Sequence, residues 1–153
     1  ANLVVRGRAP WRPLIAEVAR VLHDEMLGVQ LGIVELHSGA TASRRGLLEE
    51  MLRACGSERG LPPSAQNEDL VAFTRALRQR ERPALLALQH FDYALQPGRS
   101  SDANLFSALR DLVSVDRKLC LLIHSKRPFL ELLPADHPLS SLTQLCLVEL
   151  VGA

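Results

Sequence analysis

The sequence predicts an α/β fold: a three-layer α/β/α domain with a mainly parallel sheet of about four to five strands. Three observations predict it. Apolar runs of strand length alternate with segments of helical periodicity. The strand runs are near-continuously apolar, as in strands covered on both faces. Polar and turn-forming residues separate the two kinds of segment, as in repeated strand–helix units.

Asn2 to Arg6 reads as a short extended lead. Pro13 to Leu27 reads as a helix, with Ile15, Val18, Ala19, Leu22 and Met26 at helical spacing and Gly28 as its stop. Val29 to Leu36 is a first strand, and His37 to Arg45 a small-residue turn. Arg45 to Cys55 is a helix with Leu47, Leu48, Met51, Leu52 and Cys55 on one stripe and Gly56 as its stop. Gly56 to Gln66 is a loop. Asn67 is placed to cap a helix running to about Arg80, with Leu70, Phe73, Ala76 and Leu77 inward. Ala84 to Leu88 is the second strand. Asp102 caps a helix to Val115, buried through Leu105, Phe106, Leu109, Leu112 and Val113. Leu119 to His124 is the third strand, Pro128 to Leu133 one or two helical turns, and Thr143 to Val151 a last strand.

The 153 residues make one domain, 1–153. A hydrophobic content of 47% supplies a sizeable core; a domain near this size buries roughly 68–70% of its unfolded surface. The chain opens on Ala1 and closes just after an apolar segment, so it reads as a part excised from a larger protein. A net charge of +1 gives no strong field toward nucleic acid or anionic lipid. No apolar run approaches the ~18 residues of a membrane span. Cys120 and Cys146 sit in apolar runs, which reads as buried free thiols in a reducing cytoplasm. The expectation is a cytoplasmic domain without a membrane partner.

In a parallel sheet, ligands gather at the carboxyl ends of the strands. Those ends carry Glu35 to Ser43, Gln89 to Asp92, and His124 to Arg127. The run Pro83 to Tyr93 is the most informative: an apolar strand ends in Gln89-His90 and then Phe91-Asp92. It resembles the strand of STAND and AAA-like P-loop NTPases that ends in Asp-Glu before Phe-Asp. There the Asp holds magnesium and the Glu orients water. The element order is also similar to that family's core without its helical lid. Arg6-Gly7-Arg8 and the following helix resemble the family's linker, and Lys126 to Leu132 resembles a stretch following its third strand here.

In that resemblance Ser38 to Arg45 occupies the phosphate loop, GxxxxGK[ST]. Glycines there let backbone N–H groups converge on phosphate, the Lys bridges outer phosphates and the hydroxyl binds magnesium. Here Ser38 and Ser43 replace the two glycines, and Gly39 is one place off. Arg44 stands for the Lys and Arg45 for the hydroxyl residue. An Arg fork does not simply replace a slender ammonium, and Arg45 cannot ligate a cation. Gln89 and His90 replace the acids, and Ser125 follows the strand where the family places a polar γ-phosphate sensor. The resemblance implies vestigial nucleotide-site positions at Ser38, Gly39, Ser43, Arg44, Arg45, Gln89, His90 and Ser125. No catalytic residue, cofactor or metal is expected. The family's second strand has no clear counterpart, leaving either a smaller sheet or an edge rebuilt by Leu3-Val4-Val5.

Other readings compete at single residues. Arg44-Arg45 at a helix start either binds an anion or is a solvated first turn. His90, Asp92 and His124 with Ser125 or Ser43 could form a hydrolytic set; the alternative is histidines hydrogen-bonded within a rebuilt pocket floor. Metal ligation by His90 and His124 lacks a third ligand at suitable spacing. The Arg75 to Arg82 run is a nucleic-acid stripe or a solvated helix end. Trp11 is an interface residue or a staple over the sheet edge.

The expected function is a catalytically inactive, NTPase-like scaffold, docking or regulatory module within a larger prokaryotic signalling or defence protein. Its partners would be other domains of that chain or another protein, with nucleotide and nucleic acid disfavoured. The alternatives are an atypical NTPase using Arg44 and His90, and a nucleic-acid-binding module.

Overall fold

A computed structural model of the chain describes residues 3–6, 11–25, 30–57, 60–63, 68–96, 102–140 and 147–151. The expected stop at Gly28, the cap at Asn67, the linker glycine Gly7 and the thiol of Cys146 lie outside the described residues, as does the Trp11 side chain.

The fold is α/β with a parallel sheet. Its strands are β1 (Leu3–Arg6), β2 (Leu31–Glu35), β3 (Ala84–Gln89), β4 (Leu119–Ser125) and β5 (Leu147–Val151). The spatial order is β1-β5-β4-β3-β2, and every neighbouring pair is parallel. The helices are α1 (Trp11–Glu25), α2 (Arg44–Ala54), α3 (Glu68–Arg78), α4 (Ala103–Ser114) and a single turn, α5 (Phe129–Leu132). Leu3-Val4-Val5 pair with Val148, Glu149 and Leu150, so the N-terminal segment forms one sheet edge.

Chain direction explains the layers. From β2 the chain steps through β3, β4 and β5 in one direction across the sheet. Right-handed crossovers then place the intervening helices on one face. Residues alternate accordingly. Val34, Leu86, Leu88, Leu121 and Ile123 bury against Leu48, Met51, Phe73, Leu77, Leu105 and Leu112 in the main core. The step from β1 to β2 runs the opposite way, edge to edge, so α1 falls on the other face. There Ile15 packs on Ala87 of β3 and Leu122 of β4. Among the described residues the core cluster on this face is the smaller one, and Ile33 of the edge strand β2 remains 48% exposed.

Local signals explain the element ends. Ser43 caps α2, its side chain accepting from the Gly46 N–H at 3.0 Å. Asp102 caps α4, accepting from the Leu105 N–H at 2.8 Å. Gly56 ends α2 with φ +78°, a left-handed conformation that glycine adopts without penalty. Two short 3-10 turns, Gly39–Thr41 and Phe91–Leu95, had no periodic signal. Both follow strands at the carboxyl pole, where they shape the site.

Candidate functional site at the carboxyl pole of the sheet

The segment aligned with a phosphate loop is a braced turn. Thr41 is buried, and its hydroxyl donates to the carbonyls of Glu35 (2.9 Å) and Ser38 (3.1 Å). The Ala42 N–H donates to the Gly39 carbonyl, the Gly46 N–H to the Ser43 hydroxyl, and the Leu47 N–H to the Ser43 carbonyl. Three backbone donors of the segment, those of Ala42, Gly46 and Leu47, are therefore bonded within it rather than turned toward a phosphate.

Both arginines here are held by the protein's own acids. Arg44 donates to the Asp102 carboxylate at 2.8 Å, joining the N-termini of α2 and α4. Arg45 reaches Asp69 of α3 at 2.9 Å and Glu49 at 3.0 Å, and donates to the carbonyls of Leu61 (2.8 Å) and Pro62 (3.1 Å). Asp69 is buried, so the guanidinium balances a carboxylate taken out of water. Of the two readings for the pair, a merely solvated first turn is corrected: both guanidinium groups are ion-paired. The cost of positive charge at a helix N-terminus is offset by three carboxylates.

The β3 and β4 ends form a histidine floor. Gln89 is buried and lies opposite Glu35 in the β2–β3 register. His90 follows in the left-handed region at φ 56°, ψ 49°. Its N–H donates to Nδ1 of His124 at 3.2 Å, and the two rings meet edge to face with centroids 4.9 Å apart. His124 is 1% exposed. Because its Nδ1 accepts, the neutral ring carries its proton on Nε2.

Two residues that sequence reasoning did not single out complete this cluster. Glu35 ends β2, and His37 follows it in the turn. His37 Nδ1 stands 2.6 Å, and His90 Nε2 3.7 Å, from the same oxygen of Glu35, Oε1. That oxygen is buried yet has no hydrogen bond of acceptable direction. The His37 and His90 rings stand 4.7 Å apart, with Tyr93 flanking both at 5.9 and 6.2 Å. The signal in the sequence was the Glu-x-His pair at a strand end; its partner His90 is 53 residues further on.

The serines are engaged elsewhere. Ser43 caps α2, and Ser125 donates to the Arg127 carbonyl at 2.6 Å. Neither shows a hydrogen bond to His90 or His124 among the described residues, so the hydrolytic set is not assembled. Asp92 has a buried oxygen, Oδ1, without a hydrogen bond. The arginine-rich run is also broken up: Arg78 pairs with Asp116 at 2.7 Å, and Arg80 donates to the Cys55 carbonyl at 2.8 Å.

No family model matches the chain, and no curated protein matches its sequence. Among the described residues, no helix is long and apolar enough to cross a membrane.

Proposed function

We propose that this domain is a catalytically inactive relative of P-loop NTPases that serves as a scaffold, docking or regulatory module. In this reading it works within a larger cytoplasmic, prokaryotic signalling or defence protein. The reading rests on the similar element order, and one observation carries its inactive character. Arg44 and Arg45, which stand at the Lys and hydroxyl positions of the phosphate loop, are engaged by Asp102, Asp69 and Glu49. Phosphoryl transfer depends almost wholly on positioning and electrostatics. A loop whose cations are neutralised from within supplies little of either. The same pairing weighs against an atypical NTPase built on Arg44 and His90, and the Arg78–Asp116 pair weighs against a nucleic-acid stripe.

Thermal unfolding with and without ATP, GTP and magnesium tests this. A ligand at about 100 times its dissociation constant stabilises by ~2.7 kcal/mol. The expected result is no magnesium-dependent nucleotide shift. A clear shift that disappears in Arg44→Ala would overturn the proposal.

A further inference from the structure

We infer that Glu35, His37 and His90 form a binding site for a divalent transition-metal ion, zinc foremost. One ligand atom from each of the three side chains lies within 4.8 Å of the others. Donors at 2.0–2.2 Å around a tetrahedral ion stand roughly 3.3 Å apart. The observed separations of 2.6 and 3.7 Å from Glu35 Oε1 bracket that value, so small side-chain rotations bring the set onto an ion. Two imidazoles and one carboxylate are the donor set of open, three-ligand zinc sites, where water takes the fourth position.

The arrangement is difficult to account for as an ordinary ion pair. A carboxylate oxygen shielded from water with two imidazole nitrogens close by normally accepts a directed hydrogen bond. Glu35 Oε1 has none, although the His37 nitrogen is within 2.6 Å. The His37 nitrogen approaches this oxygen without the direction of a hydrogen bond, which leaves the oxygen's lone pairs for an ion.

The surroundings hold the ligands in place. Glu35 ends a ladder strand, and its carbonyl accepts from buried Thr41, which braces the turn carrying His37. His90 is fixed by its left-handed backbone and its N–H bond to His124. An ion would therefore tie the ends of β2 and β3 together across the pole.

Donor chemistry also says which ion. Imidazole favours zinc, copper, nickel and cobalt, whereas magnesium prefers all-oxygen octahedral sites. The site is thus distinct from the magnesium chemistry of a nucleotide hydrolase. It does not rest on the proposed function, and either can fail without the other.

The test is titration of the EDTA-treated chain with zinc by calorimetry, and with cobalt by visible absorption. The expected result is one ion per chain, a higher melting temperature with zinc and no response to magnesium. His37→Ala and Glu35→Gln should each weaken binding at least roughly tenfold, the scale of losing even a supporting partner. His37 is 46% exposed, so its removal leaves the fold intact, which circular dichroism checks. His23→Ala, on the exposed face of α1, should bind as the parent does. Absence of saturable one-to-one binding would overturn the inference. So would unchanged affinity in His37→Ala and Glu35→Gln, or a thiolate charge-transfer band in the cobalt spectrum, which would assign the ion to cysteine.

Discussion

His90 donates its backbone N–H to the buried ring of His124, and it does so from a left-handed conformation. Glycine, Asn, Asp and His adopt that conformation more readily than other residues, and a β-branched side chain meets a steric penalty there, of order 1–2 kcal/mol. The turn into Phe91–Leu95 imposes the conformation. His90→Asn should therefore fold with nearly parental stability, whereas β-branched His90→Val should lose about 1–2 kcal/mol. Urea unfolding of the two variants measures the difference. Equal stability would show that the turn does not need the left-handed residue.

The Arg45–Asp69 pair gives a second expectation. Arg45→Met keeps the apolar stem but leaves the buried Asp69 carboxylate without its main cation. The loss should be about 1–3 kcal/mol. Adding Asp69→Leu should recover part of it, because a buried charge that has lost its paired cation costs more than no charge. Denaturant midpoints of the two single variants and the double variant give the coupling.

Two glycines close together should behave oppositely. A Cβ on Gly46 would collide with the carbonyl oxygen of Ala40, because the first turn of α2 packs directly on the 3-10 turn. Gly46→Ala should cost about 1–3 kcal/mol or more, as overpacking does. A Cβ on Gly39 meets nothing within 4 Å. Gly39→Ala should be close to neutral, although Gly39 lies in the segment that resembles a phosphate loop. Thermal melts of both variants settle the contrast.

His137 should make stability depend on pH. Burial lowers its pKa from the usual 6.5, opposed by Asp136. Its Nδ1 accepts the Leu139 N–H at 3.1 Å, and its ring lies 4.7 Å from Phe106. Between the lowered folded value and the ordinary unfolded one, the unfolded chain binds more protons, so stability rises with pH. The contribution is complete above the unfolded value and is lost as pH falls through the folded one. The melting temperature should fall from pH 7.5 to 5.5, and less steeply in His137→Gln. Parallel curves would refute this.

Cys55 should be a slow thiol. Burial raises its pKa to about 11, partly opposed by Arg80. At pH 8 only about one molecule in a thousand would then carry the reactive thiolate. Alkylation followed by mass spectrometry should show Cys55 modified far more slowly than a small-molecule thiol. Arg80→Ala should slow it further.

The α/β class was legible because apolar runs such as Ala84 to Leu88 and Leu119 to Ile123 need cover on both faces. The cap at Asp102 and the stop at Gly56 were legible because each satisfies local backbone groups. Helix ends moved by a residue or two, since terminal turns lack a periodic signature. The carboxyl pole was legible as a place, with Gln89, His90 and Ser125 named in advance. Its chemistry was less so. Arg45 and Glu49 stand at i and i+4, but Arg44 finds Asp102 58 residues away and Arg45 finds Asp69 24 residues away, and no spacing rule links those two pairs. Glu35 closed a strand and His37 opened the next turn, and both were read only as part of the polar carboxyl ends of the strands.

By itself the sequence determined which segments become strands and helices, because periodicity, capping residues and glycine stops act over a few neighbouring residues. It also placed the polar strand ends at one pole, since parallel strands share a direction. Only the tertiary structure decided which of those polar groups meet. The order β1-β5-β4-β3-β2 sets β2 beside β3 and so brings Glu35 and His37 to His90. Contacts of that kind depend on strand order and register, which are settled by the burial of the whole sheet rather than by any local stretch of chain.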